Sequence, residues 1–472
     1  MRYEFFATVT LFFSSLLSIH AAPISQPAAL ATIPKVSVLD GRALYFKSYD
    51  TIVNVASFQS SAILTHAGAQ YAVWYSSNRE AMIARRKINV GDGRWETAPL
   101  GHKLSVDDSH NVISLGLSPI DETIHIALDM HSTKLYYLRS EVGLASAAGQ
   151  RKPWTGARFG KAQNTLLGTQ LEKAITYPQF VVRPTDNTLQ LFYRSGISGN
   201  GVNQVADYRN GAWKKLGGFM TPLGAYKSPH GAISLRRNLY VHGFTYSPNG
   251  RLHLSGTWRE QNSAVMCSLG GLSNHDTLYA YSDDGARTWK NHNGNRIART
   301  GTNSVISIYS GGLVVDRSSP DHALMNQESQ TVDGAGNPHV LISYVPGSTM
   351  PCSTSYAADR AAHGRVFHLW QNPATKKWEK SKLPFALGSP LRSQILMNGD
   401  VAFVLLPFLR ITTSSAASNY KKWTMLFDGV KAGWKVEGEV TFDRQRWAES
   451  KILSVLFQAD RNSLRVAEFM FK

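Results

Sequence analysis

The sequence predicts an all-β protein, a seven-bladed β-propeller, on three observations. Apolar and polar residues alternate in short runs with almost no helical periodicity, turn signals interrupt those runs, and the interruptions recur about every 65 residues. At 472 residues the chain exceeds what one core usually organises, and a closed, repetitive architecture accounts for both its length and its repeat. A pair of β-sandwiches accounts for the strands but not for the interval.

In chain order the first unit is His66-Ala67-Gly68-Ala69-Gln70-Tyr71-Ala72-Val73-Trp74, a tight turn feeding an apolar strand. The same pattern returns at Ser118-Pro119-Ile120-Asp121, Arg183-Pro184-Thr185-Asp186-Asn187, Ser247-Pro248-Asn249-Gly250, Asp333-Gly334-Ala335-Gly336-Asn337 and Met397-Asn398-Gly399-Asp400. Pro119, Pro184 and Pro248 lie 65 and 64 residues apart, and Asp333 and Gly399 are 66 apart. The terminal run Leu453-Ser454-Val455-Leu456-Phe457 supplies a seventh unit. Residues 281–289, from Tyr281 through Ser282, Asp284 and Gly285 to Trp289, resemble the hairpin of sialidase-type propellers, whose Asp closes the turn and whose Trp packs between blades.

The N-terminus reads as a secretory signal peptide over residues 1–21, with an apolar stretch from Phe5 to Leu17 and small residues at Ala21-Ala22. A leader over 22–40 and one propeller domain over 41–472 follow, and the expected location is extracellular. No later segment has the length and apolar continuity of a membrane helix. Lysine plus arginine exceed aspartate plus glutamate by 50 to 33, a net charge of +17 that favours an anionic partner. For a secreted protein that partner is an acidic polysaccharide, not nucleic acid or a membrane, and the expected state is a monomer. Two cysteines, Cys267 and Cys352, exclude a disulfide-rich scaffold and leave open either one bridge or a metal-thiolate role.

Propeller sites are assembled from separate segments. His110 sits in Asp107-Asp108-Ser109-His110-Asn111 before an apolar strand, and His131 follows the next strand, so one hairpin can bring both imidazoles together. Tyr177 opens the following unit, and Arg194 ends its second strand. Taken singly, each is more often a packed or solvated residue than a catalyst. Together, and without a matching pair of strand-end carboxylates, Tyr, His and Arg suit proton abstraction beside a carboxylate better than acid-assisted glycoside hydrolysis. A guanidinium neutralises the uronate charge, and a neutral His or ionised Tyr then takes the proton.

The stretch Asp108-Ser109-His110-Asn111-Val112-Ile113-Ser114-Leu115-Gly116, the strand ending at His131, Thr176-Tyr177-Pro178, Tyr193-Arg194-Ser195-Gly196, Gly250-Arg251-Leu252-His253, Trp258-Arg259-Glu260, Asn274-His275-Asp276 and Asn337-Pro338-His339 resemble the propeller polysaccharide lyases with neuraminidase-type repeats. These include ulvan lyases and L-rhamnose-α-1,4-D-glucuronate lyases. The resemblance runs from about His66 to Val455. It implies β-elimination at L-rhamnosyl-α-(1→4)-D-glucuronate linkages, leaving a 4,5-unsaturated uronate. It assigns His110 as the first catalytic His, His131 as the second, Tyr177 as base or acid, and Arg194 as the carboxylate-neutralising Arg, and leaves open whether His110 or Tyr177 removes the proton. It further implies sugar contacts at Tyr240 and His242, and a structural zinc on His253, Cys267, His275 and His339, a set that exists only if Cys267 is not paired with Cys352. It calls for no organic cofactor.

Within this class the substrate is either ulvan, cut internally, or the terminal rhamnose cap of gum arabic and arabinogalactan glycans. The inserts 266–273 and 346–358 favour the cap, because they can wall off one side of the site. Two readings from other classes compete: a sialidase-type glycoside hydrolase and a non-catalytic glycan-binding propeller.

Overall fold

The computed structural model describes Met1 and residues 29–59, 61–88 and 93–472. Apart from Met1, the expected signal peptide lies outside these residues. The fold is all-β and propeller-like. The described strands form seven antiparallel sheets taken up one after another along the chain.

The first sheet pairs Ile63–His66, Ala69–Tyr75, Glu80–Lys87 and Glu96–Lys103 in sequence order. The second holds Ile113–Ser118, Thr123–Leu128 and Tyr137–Arg139, and the third runs from Ile175–Val182 to Ala212–Gly218 with His131–Thr133 added at its inner edge. The fourth is built on the long strand Ile233–Tyr246, the fifth begins at Ser329–Val332 and the sixth at Gln394–Asn398. The seventh begins at Val436–Phe442 and ends at Ser463–Met470, whose outer edge pairs with Lys35–Asp40 from the other end of the chain.

That pairing corrects the expected boundary at residue 41. Val38 lies opposite Arg465 and Asp40 opposite Leu464, so residues 35–40 are the last strand of the ring and not a leader. The physical reason is edge satisfaction: without them Ser463–Met470 would present an unpaired row of N–H and C=O groups.

Inner strands of neighbouring sheets pack on one another. Ile113–Ser118 packs on Ile175–Val182, Ile233–Tyr246 on Ser329–Val332, Ser329–Val332 on Gln394–Asn398, and Ile63–His66 on Val436–Phe442. The approach is close: a Cβ at Gly116 would stand 2.4 Å from Phe180 Cγ. Apolar clusters fill the space between successive sheets, such as Tyr71 with Ile113 and Trp154, Phe192 with Leu254 and Trp289, and Trp74 with Leu456 and Val466. Each buried side chain of this size contributes a few kcal/mol. The hairpin at 281–289 behaves as its sequence suggests. Asp284 accepts the Thr288 N–H at 2.8 Å and the Thr288 hydroxyl at 2.7 Å, and Trp289 is buried with its ring centroid 4.7 Å from that of Phe219.

Candidate active site

Residues from the second, third, fourth and sixth sheets, and from the segments leading into them, converge in one cluster. Asp108 and His110 form a tight local turn, in which the His110 N–H donates to Asp108 Oδ1 at 2.8 Å before the chain enters Ile113–Ser118. The same carboxylate then receives both imidazoles. His110 Nδ1 donates to Oδ1 at 2.7 Å and His131 Nδ1 to Oδ2 at 2.6 Å, so each ring turns its Nε2 away from Asp108. Burial raises the Asp108 carboxyl, but the hydrogen bonds from His110 and His131 outweigh it and hold the group well below the usual carboxylate range.

His131 reaches this place because His131–Thr133 pairs with the third sheet and not with its own, Thr176 lying opposite His131. Ser132, with φ of 57°, turns the chain there. Tyr177 is aimed by a bulge: Thr176 pairs with Arg194 and Gln179 with Phe192, leaving Tyr177 and Pro178 opposite one residue. Tyr177 has φ of 57°, an uncommon left-handed conformation for an aromatic residue and a strain that such sites tend to hold.

The rings form one aromatic nest. Tyr49 stands edge-on to His110 with centroids 4.4 Å apart, Phe58 stacks on His110 at 5.6 Å, and Tyr177 lies 5.9 Å from His110 and 5.8 Å from Tyr240. Burial, with His131 and Arg392 adding to it and Asp108 opposing, pushes His110 down to about 4. The ring is therefore neutral near pH 7, with Nε2 available as a base.

Arg194 Cζ lies 4.9 Å from the centroid of the Tyr177 ring, and its guanidinium donates to Tyr240 Oη at 3.3 Å, Ser132 Oγ at 3.1 Å and Thr176 Oγ1 at 2.8 Å. Only 2% of Arg194 is exposed, so its charge acts from behind the two phenols. Burial raises the Tyr240 phenol, but Arg194 and Arg259 outweigh burial and hold it below its ordinary value. Tyr177 is pushed up, by burial first and then by Tyr240. It therefore keeps its proton and suits the role of an acid.

All four expected catalytic residues, His110, His131, Tyr177 and Arg194, thus share one site, and Tyr240 joins them. His242 does not. It is turned to the axial cavity, where Nδ1 accepts the Glu328 N–H at 2.9 Å and Nε2 has no partner.

The expected zinc set is corrected. Cys267 is bonded to Cys352 in a disulfide, so it offers no thiolate. His253 lies opposite Tyr281 and His275 opposite Trp258, which separates the two imidazoles by five residues along a hairpin, about 17 Å. Each has its own partners: His253 meets Tyr279 Oη at 2.7 Å, His275 meets Glu260 at 3.0 Å, and His339 meets His368 at 2.8 Å. These residues do not fit a metal ion.

Asp108, Arg259 and Arg392 also stand in this cluster, and sequence reasoning assigned them no role. Arg259 Cζ lies 5.9 Å from the Tyr240 ring centroid and Arg392 Cζ lies 5.1 Å from that of Phe58. The Asp-x-His spacing was the available signal for Asp108. Arg392 enters from the sixth sheet, and no local pattern marks it.

Beside the two histidines, Tyr356 Oη donates to Asp50 Oδ2 at 2.6 Å, Asp50 following the Tyr49 that touches His110. Tyr356 opens the helix Tyr356–His363 just beyond Cys352, and Asp50 follows Tyr49 in a loop tied down by a 2.6 Å bond from Ser109 Oγ to Ser48 O. The disulfide therefore joins the two inserts, and Tyr356 latches the second of them to the loop beside His110.

Residues 69–386 match the model of the BNR repeat-containing family. The chain is 25% identical over 328 residues to the long isoform of an ulvan lyase from Alteromonas sp. (strain LOR), covering 60% of this chain and 31% of that one. It is also 25% identical over 311 residues to the short isoform from the same strain, covering 56% of each. The chain thus spans about a third of the length of the long-isoform relatives it matches. Among solved structures it is similar to the polysaccharide lyase Uly1, with TM-score 0.70, 17% identity and coverage of 94% of this chain and 99% of that one. A PL25 ulvan lyase gives TM-score 0.62 at 13% identity, covering 90% and 95%.

Proposed function

The chain belongs to the BNR repeat-containing family, and we propose that it is a secreted polysaccharide lyase that cleaves L-rhamnosyl-α-(1→4)-D-glucuronate linkages by β-elimination, with each of its seven sheets serving as one propeller blade. The observation that carries this reading is the Asp108 carboxylate, which fixes two imidazoles by their Nδ1 atoms beside a protonated Tyr177 and the cations Arg194 and Arg259.

Each part has a task. Arg194 and Arg259 present positive charge to the uronate carboxylate and lower the cost of negative charge developing at C5. The neutral His110 takes the C5 proton on Nε2. The C5 electron pair forms the C4–C5 double bond as the C4–O4 bond breaks, and the departing O4 takes a proton from Tyr177 Oη. The products are a 4,5-unsaturated uronate and a sugar with a free anomeric hydroxyl. The net charge of +17 draws a polyanionic glycan to the surface.

We read the Tyr356–Asp50 bond, which ties the second insert to the loop beside His110, as favouring action at the chain end, with release of terminal rhamnose from gum arabic or arabinogalactan glycans. Internal cleavage of ulvan is the second reading, favoured by the similarity to ulvan lyases. Far-ultraviolet absorbance with mass spectrometry of products separates them. Conjugated uronate with free rhamnose supports the first, and unsaturated oligosaccharides from ulvan support the second. Saturated sugars would point to a hydrolase, and binding without turnover to a lectin-like protein.

A further inference from the structure

A cavity lies apart from the cluster of His110 and Tyr177, neither of which lines it. It occupies the axis between His242 and the far ends of the first strands, has a volume of about 880 Å³, and opens beneath the helix Arg444–Ser450 that follows the last inner strand. Phe180, Phe244 and Trp447 give it apolar walls, while Gln330 and His242 bring to it an amide oxygen and a ring nitrogen without partners.

Arg444 lines this cavity without an acidic partner. Its guanidinium rests on Phe442, Cζ 4.4 Å from the ring centroid, and makes one long bond to Gln394 Oε1 at 3.3 Å. Burial pushes it down to about 10. Two buried arginines elsewhere do have acidic partners, Arg237 with Glu260 at 2.7 Å and Arg392 with Glu439 at 3.0 Å. The carboxylates lining the same cavity are engaged elsewhere, Glu328 with Ser343, Asp333 with Asn337 and Glu449 with Gln445. A partly buried guanidinium with no counter-charge carries a desolvation cost, and the cavity has room for an anion that would relieve it.

We propose that this axial cavity is a second binding site, for a small carboxylate of uronic-acid size. The carboxylate would sit on Arg444, the ring against the apolar walls, and the hydroxyls on the free polar atoms of Gln330 and His242. A guanidinium fork matches a carboxylate bidentately, and the amide and imidazole groups distinguish a hydroxylated acid from a bare inorganic anion. The site does not depend on the lyase reading, since neither His110 nor Tyr177 lines it.

Titration calorimetry with glucuronate tests it on the full chain. An Arg194→Ala background disables the active-site cleft, so any remaining heat reports the cavity. Adding Arg444→Met is expected to weaken that binding about 10- to 100-fold, the loss of one charge-assisted contact. Gln394→Leu, which leaves the charge in place, is expected to weaken it less, and glucose is expected not to bind. Arg444→Met alone should leave turnover unchanged, so loss of lyase activity elsewhere does not decide this site. The proposal is overturned if glucuronate binds equally with and without Arg444 in folded protein, if glucose binds as well as glucuronate, or if only sulfate binds at Arg444.

Discussion

His110 and His131 stack face to face, their ring centroids 4.2 Å apart and their planes 20° from parallel. Two imidazoles this close cannot both carry charge cheaply, and one carboxylate, Asp108, holds both by the same kind of nitrogen. The arrangement keeps His110 neutral and oriented, which is what a base near neutral pH requires.

Asp108→Asn should therefore damage the reaction without touching substrate. The amide cannot accept both Nδ1–H donors as the carboxylate does, so the rings lose tautomer and aim. We expect kcat to fall by about 10²- to 10⁴-fold with KM little changed. Steady-state kinetics on a uronate polymer checks this, and an unaltered kcat would remove Asp108 from the mechanism.

The pH dependence follows from His110. Its folded value of about 4 lies below the ordinary 6.5, so the unfolded chain binds this proton first as pH falls. The stability it contributes is present above about pH 6.5 and is lost as pH falls toward 4. On the same basis the acid limb of kcat/KM should lie near pH 4. Denaturant melts and rate profiles across that window test both, and an acid limb near 6.5 would assign the base elsewhere.

Arg259→Met should reduce kcat/KM by about 10-fold or more, through loss of the less enclosed cation beside Tyr240. Arg194→Lys is expected to be no better than Arg194→Ala, because a single ammonium cannot reach Tyr240, Ser132 and Thr176 together. Restoration of activity by lysine would show that charge alone suffices.

Tyr356→Phe should change products more than rate. Removing the bond to Asp50 frees the second insert from the loop beside His110, so oligosaccharides should join the free sugar in the product mixture. Cys352→Ser should act in the same direction and also cost stability, about 4.6 kcal/mol for an 85-residue loop on the chain-entropy account. A product distribution identical to that of the parent would mean that the latch does not bound the site.

Salt should raise KM for polymeric substrate and leave kcat nearly constant. At +17 the surface attracts a polyanion over distances that about 0.15 M salt screens to roughly 8 Å. A short uronate should show a much weaker dependence, and equal salt sensitivity for both would argue against long-range attraction.

The all-β, propeller-like fold was legible because its strands and turns are local signals repeated at one interval. His110, His131, Tyr177 and Arg194 were legible as a set through the family resemblance, although Arg194 lies inside the strand Leu189–Ile197 and not at its end. The role of Asp108 was not, because an Asp before a His also reads as a simple turn. Arg392 was hidden because its partners, Phe58, Asn326 and Glu439, lie far from it in the chain. The zinc set failed because histidines at similar sequence intervals lie at opposite ends of one hairpin. The edge strand Lys35–Asp40 was missed because Val36 and Val38 face solvent and the pattern lacks a buried face.

That strand has a consequence for biosynthesis. Residues 35–40 leave the ribosome long before Ser463–Met470, the segment they must pair with. Six sheets can form as translation proceeds, but the ring cannot close until the last strand is made, and the loop then closed spans more than 400 residues. Until then the first-made strand is an unpaired, partly apolar edge, and this is when the nascent chain is most open to strand exchange with another copy.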